Sequence, residues 1–182
     1  MLLAAQVLVT HAATRAERPV ELGGTMPNSR GSLHCCIRTA REDDGQALFR
    51  IRREAILAAA APEVAVAWAE AHPPEWINEV LAERQVWVFE SDGCLVGWCS
   101  ATSNHIDALY TAPSHFRQGI ASALLAFTEK ELRKSGFAEV ELNASLNAEH
   151  FYRAHGYTAK GPRHALESRH RGSLPMSKVF TD

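Results

Sequence analysis

Apolar positions along the chain alternate between two periods, and the switches mark out the elements. Cys36-Ile37-Arg38-Thr39 reads as a first strand, and Asp43-Asp44 cap a helix that carries Ala47, Leu48, Ile51 and Ala55 on one face. That helix runs to about Ala60, and Pro62 breaks it. A second helical region follows in two parts, one with Trp68 and one with Trp76, Ile77, Val80 and Leu81, divided by Pro73-Pro74; it reads as a flap more than as a core element. Val86 to Phe89, the turn Ser91-Asp92-Gly93 and Cys94 to Cys99 form a hairpin.

A further strand, Ile106 to Thr111, leads into a helix that buries Ala121, Leu124, Leu125, Thr128 and Leu132 and closes at Lys134-Ser135-Gly136. A strand at Ala138 to Leu142, a short helix from about Asn147 to His155, a strand after Gly156-Tyr157 and a last strand from Leu174 to Phe180 complete the order. The sum is a single α+β domain over residues 34–182, with a mixed, mostly antiparallel sheet flanked by helices. Residues 1–33 break this regularity. Their apolar run, Leu2 to Val9, has no basic residue before it and is too short to span a bilayer, so it is a poor signal peptide. The rest is loop-like up to Met26 and beyond, and the segment reads as a disordered extension or an over-called start.

Composition narrows the function classes. The 182 residues are 46% hydrophobic and 22% charged, normal for one globular domain, and a net charge of -2 offers no basic field for nucleic acid or an anionic membrane. The four cysteines, Cys35, Cys36, Cys94 and Cys99, have neither C-x-x-C nor histidine spacing for zinc, so no metal is expected and thiols in a reducing cytoplasm are the reading.

The chemistry concentrates in Phe116-Arg117-Gln118-Gly119-Ile120-Ala121-Ser122-Ala123-Leu124, where a strand hands over to a helix. Free N–H groups at a helix start, with the positive end of its dipole, make a seat for a phosphate-bearing ligand. Taken alone the run is equally a plain loop-to-helix turn. A second segment, Ala148-Glu149-His150-Phe151-Tyr152-Arg153-Ala154-His155-Gly156-Tyr157, follows after the next strand. In that order and separation, the two resemble the GNAT superfamily of acyl-CoA-dependent N-acetyltransferases over about residues 36 to 180. Ile106-Asp107, Ala144-Ser145, Gly172 and Met176 resemble its YafP-like bacterial branch.

The resemblance implies acetyl-CoA as co-substrate, its pyrophosphate against the N–H groups of Gln118, Gly119, Ile120, Ala121 and Ser122, with Arg117 free to add a charged contact. Phe116 departs from the family, which favours Gln or Arg three residues before Gly119; the departure removes a side-chain contact and leaves the backbone cradle. Leu109, Tyr110 and Thr111 are implied to offer backbone groups to the pantetheine arm, one of them as an oxyanion donor. Tyr152 is implied to protonate the departing sulfur, and a phenol of pKa about 10 can donate to a thiolate of pKa about 8.5 as it forms.

The amine must also lose a proton. An alkyl amine of pKa about 10.4 is uncharged roughly once in 2500 at pH 7, a cost of roughly 4.6 kcal/mol. Candidate bases are Asp107 and His105, with Glu141 on the next strand. Strict alternation places His105, Asp107, Leu109 and Thr111 on one face and Ile106, Ala108 and Tyr110 on the other. The remaining histidines read as surface or packing residues, and Trp68 is a candidate for the acceptor pocket.

The function expected from the resemblance is transfer of an acetyl group from acetyl-CoA to a primary amine by direct attack in a ternary complex. A non-catalytic acyl-CoA-binding regulatory module is the alternative. An amine-bearing small molecule, a peptide N-terminus and a lysine side chain all remain open as acceptor. A homodimer stays open too, with no feature arguing for one.

Overall fold

The computed structural model describes residues 35–60, 62–165 and 172–181, with residues 62–64 described by backbone alone. The expected extension at residues 1–33 lies outside the described residues. Chain order is β1 (Cys35–Thr39), α1 (Gly45–Ala59), α2 (Pro62–Ala69), α3 (Trp76–Glu83), β2 (Gln85–Ser91), β3 (Cys94–Thr102), β4 (His105–Thr111), α4 (Ile120–Lys134), β5 (Glu139–Ala144), α5 (Glu149–Ala154), β6 (Thr158–Ala159) and β7 (Leu174–Val179). Among the described residues these strands form one seven-stranded sheet in the order β1-β2-β3-β4-β5-β7-β6. Every neighbouring pair is antiparallel except β4 and β5, which run parallel and are joined through α4.

Helices cover both faces of the sheet. On one face Leu124, Leu125 and Leu132 of α4 and Phe151 and Tyr152 of α5 pack on Trp87, Cys99, Leu109, Val140 and Leu142. On the other, Leu48 and Ile51 of α1 and Ile77 and Val80 of α3 pack on Val86, Val88, Trp98, Ala108 and Tyr110. The buried Trp98 indole donates from Nε1 to Leu48 O at 3.0 Å, which locks α1 to β3.

The region expected to be a flap is therefore part of the fold. Ile77 and Val80 are buried in the second core, because the apolar stripe of α3 finds the sheet face that α1 leaves uncovered. Pro62 both ends the α1 region and opens α2, where its missing N–H costs nothing.

Two local features shape the centre of the sheet. Ala101 opposes Ile106 and Ser100 opposes Ala108, so Asp107 is an extra residue in β4, a bulge. The alternation expected along this strand is broken there: Ile106 packs with Leu109 on the α4 face, while Ala108 and Tyr110 face α1. The second feature is Gly97 of β3. A Cβ there would lie 2.9 Å from Ile120 Cγ2, 3.0 Å from Tyr110 O and 3.1 Å from Leu124 Cδ1, so the bare backbone lets the first turn of α4 lie directly on the sheet.

Candidate active site

β4 and β5 pair only at His105 with Glu141 and Ile106 with Leu142, and then diverge. From Asp107 onward β4 keeps its bonds to β3 and has an open edge on the β5 side. Ala112 N–H donates to Val96 O at 2.8 Å and Tyr110 O points toward Gly97, so alternate residues of β4 spend their backbone groups on β3. The N–H and C=O of Leu109 and Thr111 thus face the open edge. Tyr110, also expected to offer its backbone there, turns it to β3 and packs its ring 5.1 Å from Trp98.

The far end of the open edge leads to the start of α4. Arg117 (φ 62°) and Gly119 (φ 79°) both take left-handed conformations and curl the loop ahead of the helix. Ala123 N–H closes the first turn on Gly119 O at 2.9 Å, which leaves the N–H groups of Ile120, Ala121 and Ser122 ahead of it without an intrahelical acceptor. Arg117 and Gln118 are exposed, and Gln118 Nε2 donates back to Ser114 O at 3.2 Å. Phe116 is half-buried. The donor set is thus backbone, gathered at the positive end of a helix. Ser122 is tied elsewhere: His155 Nδ1–H donates to Phe151 O at 2.8 Å, so Nε2 is the acceptor for the Ser122 hydroxyl at 3.0 Å, a strut between α5 and α4.

Tyr152 comes from α5 and is fully buried beneath the same strands, with Tyr157 edge-on at 5.4 Å. Its hydroxyl has no hydrogen-bond partner, and burial raises its pKa well above the usual value near 10, helped by Cys99 and Tyr110. The phenol therefore holds its proton throughout the physiological range. Burial also pushes the Cys99 thiol up to about 12, so this cysteine is a poor nucleophile.

At the point of divergence lies a directed hydrogen-bond chain. His105 Nδ1–H donates to Asp107 Oδ1 at 3.2 Å, because a carboxylate only accepts; its Nε2 then accepts from Asn143 Nδ2 at 3.2 Å. Asn143 Oδ1 in turn accepts from His164 Nε2 at 3.2 Å. Asp107 also takes the Thr102 hydroxyl at 2.7 Å and has Arg84 Nη1 at 3.7 Å. The two expected base residues are thus brought together, with Asp107 orienting His105. Glu141 is instead paired with Lys160 at 2.6 Å and is half exposed at the sheet surface.

Trp68 is half-buried against the second core and gives its carbonyl, not its indole, to Arg52. The residues that sequence reasoning missed are Arg84, Asn143 and Thr102. Asn143 follows Glu141 by one alternation on β5, a signal that strand periodicity contained; Arg84 and Thr102 gave none. Asn147, in the short segment before α5, donates from Nδ2 to Ala59 O at 3.1 Å and accepts from Ser145, linking α1 to the end of β5. Among the described residues no group of three or more His, Cys, Asp or Glu could hold a metal, and no helix is long and apolar enough to cross a membrane.

Comparison with known proteins agrees with this fold. The family model described as "Acetyltransferase (GNAT) domain" matches residues 56–180. The uncharacterized N-acetyltransferase YafP of Escherichia coli is 35% identical over 125 residues, covering 66% of this chain and 79% of that protein. Among solved structures, a GCN5-related N-acetyltransferase from Rhodopseudomonas palustris superposes with a TM-score of 0.73 at 24% identity, over 80% of this chain and 95% of the other. The PaiA N-acetyltransferase from Thermoplasma acidophilum, in complex with coenzyme A, gives 0.68 at 19% identity, over 81% and 99%.

Proposed function

The chain belongs to the GNAT acetyltransferase family, and from that premise we propose that it moves an acetyl group to a primary amine by direct attack in a ternary complex. Acetyl-CoA is the acetyl donor. The observation that carries the reading is the combination, in one core, of free backbone N–H groups at the α4 start, an open edge on β4, and a buried, unpartnered Tyr152 hydroxyl.

The N–H groups of Ile120, Ala121 and Ser122 hold the pyrophosphate, and Gly119 allows the close backbone approach. Thr111 and Leu109 bind the pantetheine arm as an added strand would, with the Leu109 N–H facing the thioester oxygen; one such donor is worth roughly 2.7–4 kcal/mol in the transition state. His105 takes the proton of the incoming ammonium at Nε2, in place of its bond from Asn143. Asp107 keeps the Nδ1 tautomer and balances the imidazolium as it forms. The amine nitrogen then bonds to the acetyl carbon as the carbon–sulfur bond breaks, Tyr152 gives its proton to the sulfur, and the second proton lost by the nitrogen restores the Tyr152 hydroxyl. Cys99 forms no acyl-enzyme, since its thiol stays protonated. The proposed setting is the cytoplasm, where the exposed thiols of Cys35, Cys36 and Cys94 stay reduced.

The test is thiol release from acetyl-CoA across a panel of small amines, peptides with free N-termini and lysine peptides. His105→Ala is expected to lower kcat/KM by about 10²-fold at pH 7 and to regain activity as rising pH supplies free amine. Tight acetyl-CoA binding with no thiol release from any amine would leave the non-catalytic binding module as the correct reading.

A further inference from the structure

Two guanidinium groups share one indole beside the proposed base. Arg52 lies 5.2 Å and Arg84 6.0 Å from the ring centroid of Trp76, on which His72 also stacks with centroids 4.3 Å apart. Arg52 is spent on the fold: its Nη1 and Nη2 donate to Ala69 O and Trp68 O, both at 3.0 Å, at the end of α2. Arg84 is not. Its side chain is 9% exposed, its Nη1 has no hydrogen-bond partner, and the carboxylate paired with it, Asp107, stays at 3.7 Å.

Asp107 accepts from Thr102 and His105 and meets Arg84 only as an ion pair at 3.7 Å, too long for a hydrogen bond. Arg84 is thus a nearly buried cation whose ion-pair partner gives its Nη1 no hydrogen bond. The local field is positive: His72 is pushed down to about 4, by burial first and then by Arg52 and Arg84, and adds no charge of its own near neutrality. A buried cation without a hydrogen-bonded anion is costly to hold, and a planar guanidinium fork matches a carboxylate.

We propose that Arg84, backed by Arg52 and Trp76, binds a carboxylate on the acceptor, so that the substrate class is a primary amine carrying a carboxylate a few bonds from the nitrogen. The inference rests on the acetyltransferase reading and deepens it. Arg84 and His105 approach the two oxygens of the same Asp107, Oδ2 and Oδ1, which sets the anion site and the proton acceptor side by side at the divergence of β4 and β5.

Matched acceptors provide the test: the amino acids, β-alanine and 4-aminobutyrate against their amides, with thiol release as readout and acetyl-CoA binding measured separately by calorimetry. The expected result is a preference of at least tenfold in kcat/KM for acids over amides. Amides have the less basic amine, so reactivity at neutral pH does not create that preference. In Arg84→Met the acid-over-amide ratio falls toward one, mainly through KM. Amides turned over as well as acids by the wild-type protein would overturn the proposal and leave the acetyltransferase reading intact; this comparison needs no variant. If neither class releases thiol while acetyl-CoA binds, this inference falls; the acetyltransferase reading falls with it only if the peptides and other amines of the wider panel release none either.

Discussion

Tyr152→Phe removes a single oxygen atom from a place where it has no partner, and the consequences for stability and for turnover have opposite signs. The hydroxyl is fully buried and unpaired, so the folded state bears its desolvation, about 1–3 kcal/mol by mutational experience. Phenylalanine fills the same space without that cost. The variant should be at least as stable as the wild type and up to about 2 kcal/mol more so, equivalent to a rise of roughly 2–4 °C in Tm per kcal/mol. Turnover should fall by about 10²–10⁴-fold, the range for a lost general acid, or roughly 3–5 kcal/mol in the barrier. Burial raises the phenol pKa well above 10, so the acid form persists and the deficit should be equal at neutral and alkaline pH. Urea melts of the ligand-free protein, thiol release at saturating acetyl-CoA and calorimetry of acetyl-CoA binding measure the terms separately. Undiminished turnover would remove Tyr152 from the chemistry. A loss of more than about 1 kcal/mol in stability would show that the hydroxyl has a structural partner after all.

Gly97→Ala places a methyl group against Ile120 Cγ2, Leu124 Cδ1 and the Tyr110 carbonyl, and the backbone oxygen cannot turn aside. It should cost about 1–3 kcal/mol in stability and raise KM for acetyl-CoA as the α4 start is lifted; unchanged melting and KM would refute the close approach. Asp44 accepts from Arg38 at 2.7 and 3.1 Å and from Arg41 N–H at 2.7 Å, and the Arg38 bonds hold its carboxyl below the usual carboxylate range. A depressed pKa contributes stability that is present above the unfolded value and lost as pH falls through the folded one. Asp44→Asn should therefore cost about 1.5–3 kcal/mol near neutrality, with the gap to wild type closing on acidification in urea melts at successive pH. A gap independent of pH would show that the charge on Asp44 is not what matters.

Most element positions were legible in the sequence, because each depends on neighbours a few residues away. The α4 stripe of Leu124, Leu125, Thr128 and Leu132, the Asp92-Gly93 turn and the Gly119 helix start are local signals. Local signals misjudged α3, whose burial depends on the sheet face left open by α1, and they missed the bulge at Asp107, which is defined only by what β3 places opposite.

The sequence by itself determined the fold class, the helix start at Gly119 and, through the paired motifs, the family. Tertiary structure decided the rest. Divergence of β4 from β5 opens the edge at Leu109 and Thr111 and turns Tyr110 away from it. It also makes His105 and Asp107 a dyad linked to Asn143, where the sequence offered two alternative bases on one strand face. Arg84 acquires meaning only when folding buries it beside Asp107 and Trp76. Helix and strand periods are properties of neighbouring residues, whereas proton transfer and charge recognition depend on groups that only the folded sheet brings within a few ångströms.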